Sequence, residues 1–345
     1  MAIILFLVLW LLTFALWLLG CRLGLTWAKV SQYKFGQILL AALVSIVGTG
    51  VINAIFMALI AKSGMPPSIA LPMGLFVNVG LWVAITVLAI SYIIRVPLRP
   101  SFLIAMPTFL APVVTLLLTM FVVKPFLLEA YVVPASSMSP TILGRHVCSV
   151  CEECGAPRYG SASLYRPGIL GGDDVEMICE NFHVTKSPPP DPEVFPGDRV
   201  MVAKWKKPKR WDIIVFKYPN EPEVPYVKRL VGLPGETITI EGGAVYADGK
   251  KLELPPNLQG LTYVDHFEDS LFSHGPHLWG HVDKPAILGE DEYFVLGDFT
   301  TNSSDSRLWR DEYDDTHHPY AVPADHLIGV VSEIYWPASR WRSFP

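Results

Sequence analysis

The chain has 345 residues, 51% of them apolar and 17% charged, with a net charge of −5 at pH 7. That balance excludes the basic footprint of a nucleic-acid binder. The apolar residues are spread so unevenly that the two ends of the chain belong in different solvents. Up to about residue 130 the Lys, Arg, Asp and Glu side chains are Arg22, Lys29, Lys34, Lys62, Arg95, Arg99, Lys124 and Glu129, all at or between long apolar runs.

Four runs, at about 3 to 20, 36 to 60, 70 to 94 and 102 to 123, reach the roughly 20 residues needed to cross about 30 Å of hydrocarbon. They define a transmembrane region over 1 to 128. Arg22, Lys29 and Lys34 in the first loop and Arg95 and Arg99 in the third outweigh Lys62 in the second, so both basic loops are expected in the cytoplasm. Four crossings then leave everything after about residue 125 outside. The first run also admits another reading: Leu18-Leu19-Gly20-Cys21 is shaped like the end of a lipoprotein signal, although no Lys or Arg precedes it.

Beyond the fourth run, Glu129 to Pro134 reads as an extended exit from the bilayer, with the proline ending any helix. Ser137 follows within so few residues that it is tied near the membrane surface. A cysteine-bearing insert, 144 to 194, comes next. After it, β-branched and aromatic segments alternate with Gly, Pro, Asp and Asn turns: Val200 to Ala203, Asp212 to Phe216, Val227 to Val231, Thr237 to Ile240, Ala244 to Tyr246, Tyr293 to Leu296 and Leu327 to Tyr335. The fold class is therefore membrane α plus all-β, with four N-terminal helices and an external β-rich domain over 129–143 and 195–345. A loop-rich insert occupies 250–290.

Four stretches carry a resemblance. Ser137-Met138-Ser139-Pro140-Thr141 is similar to the nucleophile box of bacterial type I signal peptidases, and Trp211 to Pro219 resembles that family's Gly-Asp-Ile-Val-Val-Phe strand. Lys228-Arg229-Leu230-Val231-Gly232-Leu233-Pro234-Gly235-Glu236 resembles its lysine box. Gly297-Asp298 to Asn302-Ser303-Ser304-Asp305-Ser306-Arg307 resembles its closing box. The resemblance implies a membrane-bound serine endopeptidase that removes signal peptides from exported preproteins, with Ser137 as nucleophile and Lys228 as base. It further implies that Ser303 orients the lysine, that the Ser137 backbone N–H serves the oxyanion, and that Asp305 and Arg307 form a structural ion pair. Pro134 and Met138 are candidates for substrate contact, and small residues are expected before the cut.

The residues make sense chemically as well. A serine hydroxyl needs a base within hydrogen-bond reach, and no histidine stands in recognisable spacing to a nucleophile and an orienting acid. A lysine can take the role if burial lowers its pKa, and Lys228 opens an apolar strand segment. Two departures stand out: Ala135 replaces a serine that assists the oxyanion in many family members, and Arg310 stands where glycine is common. Ala135 is the one feature favouring an alternative, a catalytically inactive homologue that binds or docks exported chains.

Cys148, Cys151 and Cys154 run as C-x-x-C-x-x-C, with Cys179 and His183 further on. Cys151 to Gly155 has the form of a zinc-ribbon knuckle, which Cys148 or His183 would complete. An external compartment offers disulfides instead, and free thiols are the third reading. No cofactor is expected for catalysis. The acidic loop Asp311 to His318 reads as solvated. Expected partners are membrane-tethered preproteins, the lipid bilayer and the secretion machinery; sharing one bilayer raises the effective concentration of enzyme and substrate.

Overall fold

The computed structural model describes residues 2–62, 67–162, 175–187, 193–265, 278–310 and 316–345. His274, His277, most of the acidic loop and parts of both inserts lie outside the described residues. The chain divides into two compact units, Met1–Lys124 and Pro125–Pro345. The division precedes the expected 128/129 boundary because Leu128–Val132 is already a strand, paired with Arg199–Ala203.

The first unit is helical: Ala2–Trp27, Phe35–Lys62, Pro67–Ile94 and a fourth rod from Leu98 to Leu127, each holding a stretch long and apolar enough to cross a membrane. The fourth rod changes pitch, from α-helix at Leu98–Ala105 through a 3₁₀ turn at Met106–Phe109 and α-helix at Leu110–Leu118 to π-helix at Thr119–Leu127. Pro107 and Pro125 lie in the non-α parts, where a missing N–H and a bulky ring disturb the regular hydrogen-bond ladder. Phe6, Leu59, Phe76 and Phe121 are each more than half exposed, an apolar exterior suited to lipid and costly in water.

Cys21 is fully buried inside the first helix, which continues past it to Trp27. Its flanking glycines have a packing role. A Cβ on Gly20 would lie 2.7 Å from the Pro107 carbonyl oxygen, and one on Gly24 only 2.2 Å from that of Ile104. The Gly-x-x-x-Gly spacing lets two helix backbones touch, so the segment shaped like a lipoprotein signal is a helix-packing seam.

Among the described residues the second unit contains three sheets. The largest runs, edge to edge, Leu128–Val132, Arg199–Ala203, Leu327–Trp336, Ile213–Tyr218, Glu221–Gly232, Glu292–Leu296 and Val322–Pro323, with Arg342–Ser343 added beside Leu327–Trp336. One face carries Val200, Val202, Ile213, Val215 and Val331, and the other Ile214, Phe216, Leu230, Val295 and Val330. Alternate side chains of a strand point to opposite faces, so apolar runs without polar alternation mark strands covered on both sides. A second sheet, Lys250–Lys251, Ala244–Ala247, Thr237–Glu241 and Ala286–Ile287, packs on Leu258, Leu261 and Tyr263. The segment read as a loop-rich insert thus supplies two of its strands and part of its core.

The cysteine insert holds a sheet of its own: His146–Val150, Pro157–Ser161, Val175–Cys179 and Val184–Ser187. Its strands are short and broken by proline, glycine and polar residues, which hid them from a reading by hydrophobic alternation.

Candidate active site

The nucleophile segment leaves the edge strand Leu128–Val132 and is pinned at both ends. Val133 N–H donates to the Asp198 carbonyl at 3.0 Å, and Arg145 N–H to that of Pro134 at 3.1 Å. The Asp198 side chain accepts the Leu143 N–H at 2.8 Å and is gripped by Arg340, Nε to Oδ1 at 3.0 Å. Between these ties Met138 and Ile142 are fully buried in the core of the large sheet. Burying such a side chain stabilises its position by about 1.5–3 kcal/mol. Ser137, next to Met138, is thereby held in place while remaining partly exposed.

Lys228 lies in the long strand Glu221–Gly232, opposite Ile214. Its Nζ is 2.7 Å from Ser137 Oγ, and the residue is only 4% exposed. Burial lowers its pKa from 10.5 to about 8; Asp305 and Asp298 pull upward and Arg307 downward, and desolvation prevails. A lysine in this state is neutral often enough near neutral pH to accept a proton.

Two buried arginine–carboxylate pairs frame the dyad. Arg307 Nη2 meets Asp305 Oδ2 at 2.8 Å, with both side chains fully buried, and the same guanidinium donates to the Val264 and Thr300 carbonyls and to Thr300 Oγ1. Asp305 also accepts the Gly297 N–H at 2.9 Å. Arg229, beside the lysine, donates through Nε to Asp298 Oδ1 at 2.7 Å and through Nη1 to the Trp211 carbonyl at 2.6 Å. The following residue closes the arrangement, since Phe299 N–H donates to the Ser137 carbonyl at 3.0 Å.

Residues 175–336 match the family described as "Signal peptidase, peptidase S26". A probable signal peptidase I-1 of Synechocystis is 30% identical over 162 residues, covering 44% of this chain and 68% of that protein. The chain belongs to the signal peptidase family, peptidase S26. The signal peptidase I of Pseudomonas aeruginosa is 26% identical over 238 residues, covering 65% of this chain and 71% of that one. A solved signal peptidase I from Enterococcus faecalis shares 28% identity, with a TM-score of 0.25 over 37% of this chain and 98% of that chain.

The family match spans Lys228 and the stretch from Gly297 to Arg307, whereas Ser137 precedes it and joins the site by geometry. Two expectations about this signal peptidase site need correction. Met138 cannot offer its side chain to substrate, because the large sheet's core surrounds it completely. Ser303 makes no hydrogen bond to the lysine: its hydroxyl is buried without a partner and lies against Gly297, where a Cβ would fall 2.1 Å from Ser303 Oγ and 2.6 Å from the Ser137 carbonyl oxygen. It is therefore a close-packed neighbour of the nucleophile, turned toward the Gly297 backbone.

Pro134 and Ala135 are exposed, as is Arg310; nothing in the structure explains the last. The sequence reading assigned no role to Arg229, Asp298, Asp198 or Arg340. A signal for the first two was available: Arg229 sits beside Lys228 at the head of the apolar run of Leu230 and Val231, and Asp298 in the closing box, and a buried charge of one sign requires the other. Among the described residues, Cys151, Cys154, Cys179 and His183 form the one group of metal-ligand type, and Cys148 stands outside it.

Proposed function

We propose that this membrane protein is a signal peptidase that cuts exported preproteins on the extracytoplasmic side, using Ser137 and Lys228 as its catalytic pair. The observation that carries the reading is the 2.7 Å approach of a desolvated lysine amine to a serine hydroxyl. With the amine neutral, Ser137 O–H donates to Nζ, and Oγ attacks the scissile carbonyl carbon as the proton passes to nitrogen. The resulting ammonium protonates the departing amine, which breaks the C–N bond and leaves an acyl ester on Ser137. Water, deprotonated by the regenerated amine, then hydrolyses the ester.

The Ser137 N–H has no acceptor among the described residues and is the donor for the tetrahedral oxyanion. Ala135 adds no side-chain donor, which elsewhere is worth about 3–4 kcal/mol. Arg229, Asp298, Asp305 and Arg307 hold the two reacting side chains in register. Each step as written uses the Ser137 and Lys228 side chains, the Ser137 N–H and water. Apart from Ala135, no feature favours the inactive-homologue reading, since both members of the pair are present and in contact.

The test is cleavage of a membrane-anchored preprotein by the purified full chain, with the product's new N-terminus sequenced. Cutting after small residues is expected, and a folded chain that leaves the preprotein intact would exclude the reading. The pH profile supplies a second check. Because the active form is the neutral amine, kcat/KM should rise about tenfold per pH unit below about pH 8 and level off above it. A rate independent of pH from 6 to 9 would remove Lys228 as the base.

A further inference from the structure

The insert between the nucleophile segment and the large sheet brings three sulfurs and an imidazole together. The ligand atoms of Cys151, Cys154, Cys179 and His183 all lie within 4.8 Å of one another. Cys154 Sγ is 3.7 Å from Cys179 Sγ, and Cys151 Sγ is 3.9 Å from His183 Nδ1. A tetrahedral zinc ion, with Zn–S of about 2.3 Å and Zn–N of about 2.0–2.1 Å, sets S–S separations near 3.8 Å and S–N separations near 3.5 Å. A disulfide requires about 2.0 Å, well short of the Cys154 to Cys179 separation.

The backbone is shaped for sulfur ligands at both turns. In the first, Gly155 has φ +72° and its N–H donates to the Cys151 carbonyl at 2.9 Å. In the second, Phe182 has φ +64°, and the His183 N–H points at Cys179 Sγ at 3.3 Å. Asn181 Nδ2 donates to Cys154 Sγ, also at 3.3 Å. Hydrogen bonds from N–H groups favour the thiolate, the form that binds metal. Cys148 is exposed, and its Sγ has only a 3.9 Å approach to the Ser149 carbonyl.

The second turn also reaches the catalytic domain. Phe182, between two of the four residues, packs against the core of the second sheet, which includes Leu258, Leu261 and Tyr263. The Asn181 carbonyl lies 3.1 Å from where a Gly260 Cβ would be. Phe182 holds a left-handed backbone that a non-glycine residue adopts only under constraint.

We propose that Cys151, Cys154, Cys179 and His183 bind one zinc ion, and that the ion fixes the Cys179 to His183 turn so that Phe182 clamps the insert onto residues 258–263. Four protein ligands leave no open coordination position, so the role is structural. The proposal is independent of the peptidase reading.

The test uses the full chain purified without chelator. Metal analysis should give about one zinc ion per chain. Cobalt in its place should show the thiolate charge-transfer band and intense visible bands of a tetrahedral site. Cys148→Ser should keep both properties and Cys179→Ser should lose both. Since a misfolded Cys179→Ser would lose metal for an unrelated reason, hydrogen exchange on the wild-type chain before and after zinc removal gives a second measure, with amides of residues 258–263 expected to exchange faster once the ion is gone. A metal-free chain lighter by two thiol hydrogens, an octahedral cobalt spectrum, metal retained by Cys179→Ser, or unchanged exchange at 258–263 would each overturn the proposal.

Discussion

Cleavage of a preprotein by Ser137→Ala is expected to fall by about 10⁴-fold or more, and Lys228→Met should fall nearly as far. Members of a nucleophile and base pair act as one unit, so the double variant should be no worse than the weaker single one. Stability should move the other way in Lys228→Met. The folded-state pKa lies near 8 and the ordinary value at 10.5, so between these limits the unfolded chain holds the proton and the folded chain does not. Wild-type stability therefore climbs with pH across that window. Below about pH 8 both states carry the ammonium, and the folded state bears the full desolvation cost, about 3 kcal/mol. Methionine removes that cost, so the thermal midpoint at pH 6 to 7 should rise, and the gain should shrink as pH approaches 10. A folded Ser137→Ala that cuts like wild type, or a Lys228→Met less stable than wild type at pH 6, would contradict this account.

Asp305→Ala should be the most damaging substitution to stability around the site, by about 3–5 kcal/mol, because it leaves the guanidinium of Arg307 uncompensated in a fully buried place. It also removes the acceptor for the Gly297 N–H, beside the nucleophile. Replacing both partners by apolar residues, Asp305→Leu with Arg307→Met, should cost much less, since no unpaired charge remains. The pH profile separates electrostatic from purely mechanical roles. Asp305 raises the Lys228 pKa and Arg307 lowers it, so Asp305→Ala should shift the rising limb to lower pH, while the double variant leaves it closer to wild type. Denaturant titration and a kcat/KM profile measure the two effects. Equal stability losses in the single and double variants would show that the pair contributes only packing.

The apolar runs and the β-branched segments were legible because helix and strand length follow directly from solvent and periodicity. Ser137 and Lys228, which the fold brings to 2.7 Å from 91 positions apart, were singled out in the sequence by the residues flanking each of them. What stayed hidden depends on which layer covers a face. Met138 sits beside a nucleophile and was read as a substrate contact, but the orientation of the loop turns it into the core. Arg229 looks like a solvated strand cation until Asp298 is brought to it from 69 positions away. Ser303 shows the limit of box matching: the residue arrives in the right neighbourhood, and the direction of its hydroxyl is decided by Gly297, against which it packs. Phe182 carried no signal, since its seat is built from residues beyond 230.

The cysteine insert leaves and rejoins the catalytic fold at one place. His146 N–H donates to the Phe195 carbonyl at 3.1 Å, and Phe195 N–H returns to His146 at 2.8 Å, so the two ends are spaced like partners across a hairpin. A turn of about two residues can bridge such ends, and a module joined this way can be exchanged, shortened or grafted elsewhere without stretching the chain around the nucleophile. The scar of such surgery would lie at a distance, in the vacated seat of Phe182, and filling it with a larger side chain would be the natural repair.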